Sequence, residues 1–472
     1  MTPGAPVAQR YAEWGARVLR EGAPADVRDS VEQRVLDVLG LQLGALPLET
    51  SAAAIRFARA QGGSAQASAT GVEERLPATQ AAFVNGVLAH SLDYDDTHLP
   101  SILHPSASVV PAALAAAELV EAPGDRVLDA IAVGLEVVVR LGMAGYDVES
   151  NNSVYFEHGQ HATSICGAIG SAVAVALILG LDVDQTRDAI GIAASMASGV
   201  IEGNRTGGSV KRIHCGWAAH AAVSAAELAR AGITGPPTAI EGRFGLLQAF
   251  LHGKADTAAL TADLGEQWSV PGIFFKPYPA NHFTHTAVDA AARLRARGIA
   301  PQDVVRATLG VSSPTVRTIG EPIESKRRPE TGYQAQFSGP YAVALGFFGG
   351  SGLGASLADY TDDLAQDPER REFMERVEVV GDAQCDEIYP YQFPAVLRVE
   401  LRDGRIEEEC VLVNRGGSGN PLSTDELRTK FRENASRALP AAEIAVLEVE
   451  VGGLRSGGGV GQLGRILARA RA

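Results

Sequence analysis

The chain has 472 residues, of which 46% are hydrophobic and 21% are charged, and its formal net charge at pH 7 is −15. This composition is typical of a folded globular protein rather than a disordered chain, and the length favours two domains. The acidic balance argues against nucleic acid and anionic membranes as partners, so an anionic substrate would need a local basic pocket.

The N-terminal 22 residues lack the continuous apolar core of a secretory signal, so we expect them to belong to the mature protein. The longest apolar run, residues 168–181, is shorter than the ~20 residues that cross a bilayer, which predicts a buried helix and no membrane span. The four cysteines lie far apart without a CxxC pair, which argues against a zinc ribbon, an iron–sulfur cluster or a disulfide framework. These features predict a cytoplasmic protein.

Residues 31–231 contain Ala- and Gly-rich segments with apolar residues at helical spacing, which predict an all-helical region. A capping box formed by Ser30 and Gln33 predicts the start of one helix. We predict further helices at residues 107–121, 126–143, 163–179, 184–196 and 214–231.

Beyond about Val270, alternating apolar and polar residues predict strands at 304–312, 377–381, 395–401 and 406–413. Asp403-Gly404 between the last two predicts a hairpin, because glycine accepts the positive φ of a tight turn. Predicted helices at 283–297 and 337–348 make this part mixed. A capping box at Ser423 and Glu426 and a final helix at 462–471 predict a tail that rejoins the helical domain.

All ten histidines lie between His90 and His285. Imidazole titrates nearest neutrality, so histidines grouped with carboxylates and lysines indicate acid–base chemistry. The densest segment, residues 90–106, also contains Asp93, Asp95, Asp96, His98 and His104. It can be a divalent metal site, a structural polar cap between helices, or a source of acid, base and substrate-orienting groups, and the residues alone leave all three open.

Two further segments place histidines beside helix starts or cations. His158 and His161 precede a predicted helix, whose N-terminus favours a neutral imidazole and can bind a carboxylate, although a structural role is equally plausible. Residues 202–216 place cations beside His214, which predicts either a solvated basic loop or a local anion site. The cations are Arg205, Lys211 and Arg212. Of these, Lys211 is the cation that we favour.

The last segment begins at Lys276, which precedes a proline-stiffened loop. His282 and His285 follow at a spacing that places them on one helix face, so one can be catalytic while the other packs against its neighbour. Here helical sequence gives way to the mixed part, and clefts often form between domains.

Together, these segments resemble the MmgE/PrpD family, which includes 2-methylcitrate dehydratases, cis-aconitate decarboxylases and iminodisuccinate epimerases. The resemblance extends over nearly the whole chain, and its motifs follow one another in the same order. They are NGxxAHxxDxDDTH…HPS at residues 85–106, TSICGAIG at 163–170, KRIHCG at 211–216, GITGPPTAIEGRFGLLQAF at 232–250, KPYP at 276–279 and QAQFSGPYAVA at 334–344.

The resemblance implies an α+β fold, with a large all-helical domain built from both chain ends and a smaller inserted α/β lid domain. Residues 1–269 and 415–472 would form the helical domain, and residues 270–414 would form the lid. It further implies a homodimer, a small di- or tricarboxylate substrate, and catalysis without a metal or an organic cofactor.

The family's active-site positions match six residues of this chain: Asp93, Thr97, His104, His161, Lys211 and Lys276. We expect His104 and His161 to exchange protons, with Asp93 fixing the tautomer of an imidazole. The two lysines, together with Arg212, would bind substrate carboxylates and stabilise enolate-like charge, and Thr97 would also contact the substrate.

One position departs from the pattern. In the family's decarboxylases a histidine stands five residues after the lysine of the KPYP-like loop, but here that position is Asn281 and His282 follows. His282 would be catalytic if the loop is shifted by one residue, whereas a firmly held Asn281 would leave no acid. The favoured prediction is therefore a 2-methylcitrate dehydratase-like enzyme.

The alternatives within the family are a decarboxylase and an epimerase. Two alternatives from other classes are a catalytically silent carboxylate-binding protein and a metal-dependent hydrolase.

Overall fold

The computed structural model describes residues 4–203 and 208–471, so Arg205 lies outside the described part of the chain. The chain divides into two compact units, one comprising Met1–Ile273 with Phe431–Ala472 and the other Phe274–Lys430. Both chain ends thus contribute to unit 1, as predicted. Unit 2 extends past the predicted boundary at residue 414, because Leu422 and Leu427 pack against Phe275.

Unit 1 is mainly helical. Its helices in the N-terminal part are α1 (Val7–Glu21), α2 (Ala25–Ala45), α3 (Glu49–Gln61), α4 (Ala78–His90), α5 (Ser106–Val120), α6 (Gly124–Ala144), α7 (Val154–Glu157), α8 (Ala162–Ile178), α9 (Val183–Met196), α10 (His214–Arg230) and α11 (Leu246–Leu251). Two short antiparallel hairpins interrupt them, namely β1 (Ala67–Ala69) with β2 (Val72–Leu76) and β3 (Tyr146–Asp147) with β4 (Asn152–Ser153).

Five predicted helices correspond to α5, α6, α8, α9 and α10, with ends that agree within two residues. Two sequence predictions for this region are wrong. Helix α2 begins at Ala25 after Pro24, whose fixed φ suits a helix start, so Ser30 lies inside the helix rather than at its cap. The region is also not all-helical, because Gly71 adopts a φ of +77° and turns the chain between β1 and β2.

Unit 2 contains one four-stranded sheet with the order β6-β5-β7-β8. The strands are β5 (Val304–Val311), β6 (Val377–Gly381), β7 (Ala395–Leu401) and β8 (Ile406–Val411). Strands β5 and β6 are parallel, and the other neighbours are antiparallel. The predicted β7–β8 hairpin is confirmed, and Gly404 has a φ of +84°.

The helices of unit 2 are α12 (His285–Ala296), α13 (Ser313–Ile319), α14 (Ile323–Arg327), α15 (Gly332–Ala335), α16 (Gly339–Phe348), α17 (Asp362–Ala365), α18 (Pro368–Met374) and α19 (Ala383–Asp386). The chain then enters α20 (Thr424–Ala435), which crosses the division between the units, followed by α21 (Ala441–Gly453) and α22 (Gly461–Ala468) in unit 1. The capping box at Ser423 is confirmed, because its hydroxyl accepts from the Glu426 amide at 3.2 Å and its own amide donates to the Glu426 carboxylate at 2.7 Å.

No single helix in the described ranges is long and apolar enough to cross a membrane; α2 and α3 satisfy such a test only as a pair, bent by 98°.

Helices α4 and α10 approach each other closely because a glycine lies on each side of their contact. A Cβ atom at Gly86 would lie 2.7 Å from the Cα atom of Gly216, and one at Gly216 would lie 2.4 Å from the carbonyl oxygen of Phe83. These distances are shorter than van der Waals contact with backbone atoms that cannot rotate away. The crossing therefore requires glycine on both helices.

We expect Gly216→Ala to lower the free energy of unfolding by about 2 kcal/mol or more, because the methyl group overpacks a backbone contact. The midpoint of urea unfolding measures this change. Gly452→Ala is the matched control, since a Cβ atom there meets nothing within 4 Å and alanine favours the helix. An unchanged midpoint for Gly216→Ala would contradict the proposed need for glycine.

Candidate active site

The loop between α4 and α5 carries a dense group of buried polar side chains. Asp93, Asp95, Asp96 and Thr97 are each at most 5% exposed. Buried polar groups are costly unless they are paired, so the partners of these side chains reveal what each of them does in the fold.

Asp96 is the structural anchor of the loop. Its carboxylate accepts hydrogen bonds from Arg34 Nη1 at 2.7 Å and from the backbone amide of Ser106, the first residue of α5, at 3.1 Å. The side chains of Arg34 and Asp96 are each only 1% exposed. This carboxylate therefore fixes the start of α5, and one of the three interpretations of the segment, a structural polar cap, applies to Asp96.

His104 is oriented by the same aspartate. Its Nδ1 lies 2.7 Å from the backbone carbonyl oxygen of Asp96, and its backbone amide donates to Thr163 Oγ1 at 3.2 Å. A carbonyl oxygen can only accept, so Nδ1 carries the proton and Nε2 carries the lone pair. Thr97 Oγ1 lies 3.4 Å from the same Nδ1. His104 is thus held in the tautomer that a proton-accepting Nε2 requires.

His90 and Asp95 form a second oriented pair. His90 Nδ1 lies 2.7 Å from Asp95 Oδ2, and the two residues are 3% and 0% exposed. Among the described residues, the Nε2 atom of His90 is buried and makes no hydrogen bond. The ring of His90 lies between those of His104 and His161, with centroids 5.5 Å and 5.6 Å away.

His161 directly precedes α8 and occupies its N-cap position. Its Nδ1 lies 2.9 Å from Nδ1 of His214, the first residue of α10. Because a hydrogen bond needs one donor and one acceptor, only one of these nitrogens carries the shared proton. Four imidazoles, those of His90, His104, His161 and His214, therefore form one contiguous buried cluster.

Burial keeps part of this cluster neutral. Desolvation, reinforced by the neighbouring His90, His214 and Lys211, lowers the pKa of His161 well below its ordinary value. The same causes, burial first and then His90 and Lys211, lower the pKa of His214 to about 4. At neutral pH both imidazoles are therefore uncharged and able to accept a proton.

Lys211 brings a cation to the cluster. It lies in a 3₁₀ turn, Val210–Ile213, directly before α10, and its Nζ is 3.8 Å from Asp93 Oδ2. Asp93 has a φ of +52°, a left-handed conformation that aspartate tolerates better than most residues. The folded loop thus places a carboxylate opposite this lysine.

Arg212 follows Lys211 but has a different partner. Its Nη1 donates to the hydroxyl group of Thr50 in α3 at 3.0 Å. The predicted role of Arg212 in substrate binding stays a prediction.

The remaining predicted residues, Lys276 and His282, belong to unit 2. Lys276 is 1% exposed. Asn281 is firmly held. Its side-chain oxygen accepts a hydrogen bond from the backbone amide of Phe283 at 3.1 Å, and its backbone amide donates to the backbone carbonyl of Gln336 at 2.9 Å. Its side chain caps the 3₁₀ turn that His282 begins.

His282 itself is buried among rings. The centroid of its ring lies 4.5 Å from the ring centroid of His285, 5.6 Å from that of Phe393 and 5.9 Å from that of Phe274. Asn281 is firmly held, and for this arrangement the sequence analysis predicts that position 281 provides no acid. A catalytic role for His282 stays a prediction.

One group in the described part of the chain has the composition and spacing of a metal site. His90, Asp95 and Cys215 are all buried, and one potential ligand atom from each lies within 4.8 Å of the others. Of the three carboxylates that gave rise to the metal interpretation of the sequence, Asp95 belongs to this group, whereas Asp93 and Asp96 are placed opposite Lys211 and Arg34.

Sequence reasoning assigned no individual role to His90, Asp95, His214 or Cys215. The clustering of all histidines in one half of the chain was a usable signal for His90 and His214. No local pattern indicates Cys215, because it joins the other two ligands only through the crossing of α4 and α10.

Comparisons with known proteins match most of the chain. The model of the MmgE/PrpD N-terminal domain matches residues 9–258, and that of the MmgE/PrpD C-terminal domain matches residues 278–452. A human protein named cis-aconitate decarboxylase is 31% identical over 435 residues, covering 87% of this chain and 85% of the relative.

Two microbial relatives extend the comparison. A cis-aconitate decarboxylase of Aspergillus terreus is 24% identical over 470 residues, covering 95% of this chain and 93% of the relative. A 2-methylcitrate dehydratase of Cupriavidus necator is 28% identical over 401 residues, covering 78% of each.

The neutral cluster makes stability depend on pH. As pH falls from about 6.5 towards 4, the unfolded chain binds a proton at position 214 before the folded chain does, since the folded pKa of His214 is about 4. Folding is therefore progressively destabilised in that window and keeps its full stability above it. We expect His214→Gln to reduce the loss of unfolding free energy between pH 7 and about pH 5 by about 2 kcal/mol.

Urea unfolding at pH 7.0 and at about pH 5 would measure the effect, with stability at the higher pH as the reference. His158→Gln is the control, because His158 is exposed and its replacement leaves the buried cluster intact. An identical pH dependence for parent and His214→Gln proteins would contradict the assignment.

Proposed function

This chain belongs to the MmgE/PrpD family of enzymes, and on that premise we propose that it is a lyase that decarboxylates a small unsaturated tricarboxylic acid of the cis-aconitate type. The observation that carries the proposal is the buried cluster of neutral, oriented imidazoles beside Lys211. The human and mouse relatives named cis-aconitate decarboxylase are 31% and 30% identical to this chain, and the named dehydratase is 28% identical. They favour the decarboxylase over the dehydratase that the sequence pattern favoured.

The proposed reaction needs an electron sink and a proton donor. As the carbon–carbon bond to one carboxylate breaks, carbon dioxide leaves and the electron pair moves into the neighbouring unsaturated acid, which becomes enolate-like. Lys211, with Lys276 as a second predicted cation, would stabilise that charge. An imidazole, that of His161 or His104, which takes up a proton from solvent when the anionic substrate binds, would then donate this proton to the carbon and return to the neutral form.

Dehydration is a second candidate, and Asn281 favours it. Asn281, whose side chain is held by a hydrogen bond from the Phe283 amide, lies where the family's decarboxylases have a histidine. In dehydration a neutral imidazole removes the proton beside the carboxylate, and the hydroxyl group leaves as water after protonation. Both reactions build the same negative charge beside a carboxylate, so the same cations would serve them.

Proton NMR in deuterated water, with cis-aconitate, 2-methylcitrate and iminodisuccinate supplied in turn, distinguishes these reactions. We expect cis-aconitate to lose one carbon as carbon dioxide and the product to gain one deuterium on a carbon of the allylic anion that forms. Conversion of 2-methylcitrate into an unsaturated product without loss of carbon would show that the enzyme catalyses dehydration. That outcome would contradict the proposed decarboxylation. Binding without conversion or deuterium uptake would indicate a catalytically silent protein and contradict the proposal.

Variants test the roles of individual residues. We expect His161→Gln and Lys211→Met each to lower kcat at least ~100-fold, the lower range for a lost proton-transfer or charge-stabilising group. The measurement is turnover of the substrate identified by NMR, with circular dichroism to verify folding.

The matched controls are His158→Gln and Lys254→Met, which alter exposed residues of the same types, and we expect both to retain parental turnover. Near-parental kcat in His161→Gln and Lys211→Met would overturn the proposed site. The homodimer, the cytoplasmic location and the absence of nucleic-acid and membrane partners stay predictions.

A further inference from the structure

Three buried side chains beside the catalytic cluster combine nitrogen, oxygen and sulfur ligands. His90, Asp95 and Cys215 are 3%, 0% and 0% exposed, and one ligand atom from each lies within 4.8 Å of the others. The proposed reaction uses none of them as a direct proton donor or acceptor. Their proximity therefore needs an explanation of its own.

The fold brings the three ligands together from two distant segments. His90 is the last residue of α4, and Asp95 follows in the next loop. Cys215 lies in the first turn of α10, directly before Gly216. The close approach at Gly86 and Gly216 thus places the thiol beside the imidazole–carboxylate pair.

The chemistry of the ligand set favours zinc. Zn²⁺ is bound by histidine nitrogen, cysteine thiolate and carboxylate oxygen, at about 2.0–2.3 Å. An imidazole, one carboxylate and one thiolate carry two negative charges, so the loaded site would be neutral, and a neutral group is far less costly to bury than a net charge. His90 also has a buried Nε2 that makes no hydrogen bond among the described residues.

Binding would require the three side chains to rearrange. Ligand atoms around tetrahedral zinc lie roughly 3.5 Å apart, so longer separations, of at most 4.8 Å, would have to close by about 1 Å through side-chain rotation. The 2.7 Å hydrogen bond between His90 Nδ1 and Asp95 Oδ2 would have to break. Three protein ligands leave the fourth tetrahedral position for water or a substrate carboxylate.

We propose that His90, Asp95 and Cys215 form a Zn²⁺ site that inhibits this enzyme. On binding, the zinc ion forms a bond to Cys215 Sγ, and the thiol proton is released to solvent. Inhibition follows because the ion would lie beside the His90 ring, whose centroid is 5.5 Å from that of His104 and 5.6 Å from that of His161. The ion's open coordination position would compete with Lys211 for the substrate carboxylates. The inhibition rests on the proposed function, but zinc binding does not.

Metal binding is measured directly on the full chain after removal of metals with EDTA. We expect one Zn²⁺ per chain by calorimetry, with release of protons. Co²⁺ as a spectroscopic substitute should give a thiolate-to-metal charge-transfer band. Cys215→Ala and Asp95→Asn should each weaken zinc binding at least ~10-fold, as expected for loss of a ligand.

The control is Cys166→Ala. Cys166 is also buried in unit 1, but it belongs to no group of three potential ligands among the described residues. The Cys166→Ala substitution should leave the zinc affinity and the cobalt charge-transfer band unchanged. Parental affinity in Cys215→Ala, or a cobalt spectrum without the thiolate band, would overturn the zinc site whether or not the protein turns over any carboxylic acid.

Turnover of the substrate found by NMR provides the second measurement. Zn²⁺ should inhibit the parent protein reversibly, EDTA should restore turnover, and Cys215→Ala should resist inhibition while keeping its metal-free turnover. Equal zinc inhibition of parent and Cys215→Ala proteins would show that the inhibitory ion binds elsewhere and would refute the proposal.

Discussion

The buried ion pair between Arg34 and Asp96 is the interaction on which the candidate site depends. The carboxylate of Asp96 accepts hydrogen bonds from Arg34 of α2 and from the first backbone amide of α5. The backbone carbonyl of Asp96 accepts a hydrogen bond from His104 Nδ1. Burying two charges is expensive, and it is tolerated where additional hydrogen bonds satisfy them, as they do here. Arg34 also donates to the carbonyl groups of Val270 and Ile273 at the end of the first part of unit 1. The loop that carries Asp93 and Thr97 is consequently fixed at Asp96 and at Ser106, and this constraint helps a left-handed φ at Asp93 to persist.

Desolvation sets the chemistry of the histidines that this framework holds. The chain has a net charge of −15, a field that on its own would raise imidazole pKa values. Burial and mutual repulsion are nearer and less screened, and they lower the pKa of His161 and His214 instead. Local structure therefore outweighs overall charge. The outcome is a site of uncharged imidazoles, with lone pairs on buried nitrogens, inside an acidic protein.

The sequence predicted the elements whose patterns are local. The predicted strands at residues 377–381 and 395–401 both have the observed ends. The predicted start at Ser30 was wrong because Pro24 provides a stronger start signal six residues earlier. Asp93, Lys211 and His161 could be proposed because their segments resemble known motifs, and the structure brings them into one unit. The partnership of His90 and Asp95 with Cys215 could not be predicted, because it depends on a helix crossing set by two glycines far apart in the chain.

The neutral state of the histidines leads to a specific linkage between substrate binding and proton uptake. A carboxylate placed about 4 Å from an imidazolium interacts with it by about 4 kcal/mol at an effective dielectric constant near 20, or about three pKa units. That is enough to bring an imidazole such as His214, with a pKa of about 4, to neutrality. A tricarboxylate would therefore bring the charge that converts a base into an acid. In the proposed decarboxylation, loss of carbon dioxide would leave all of that charge on the enolate-like product, and transfer of the proton to carbon would remove one unit of it. The imidazole pKa then falls again, so the same electrostatic change that completes the reaction returns the histidine to its neutral state.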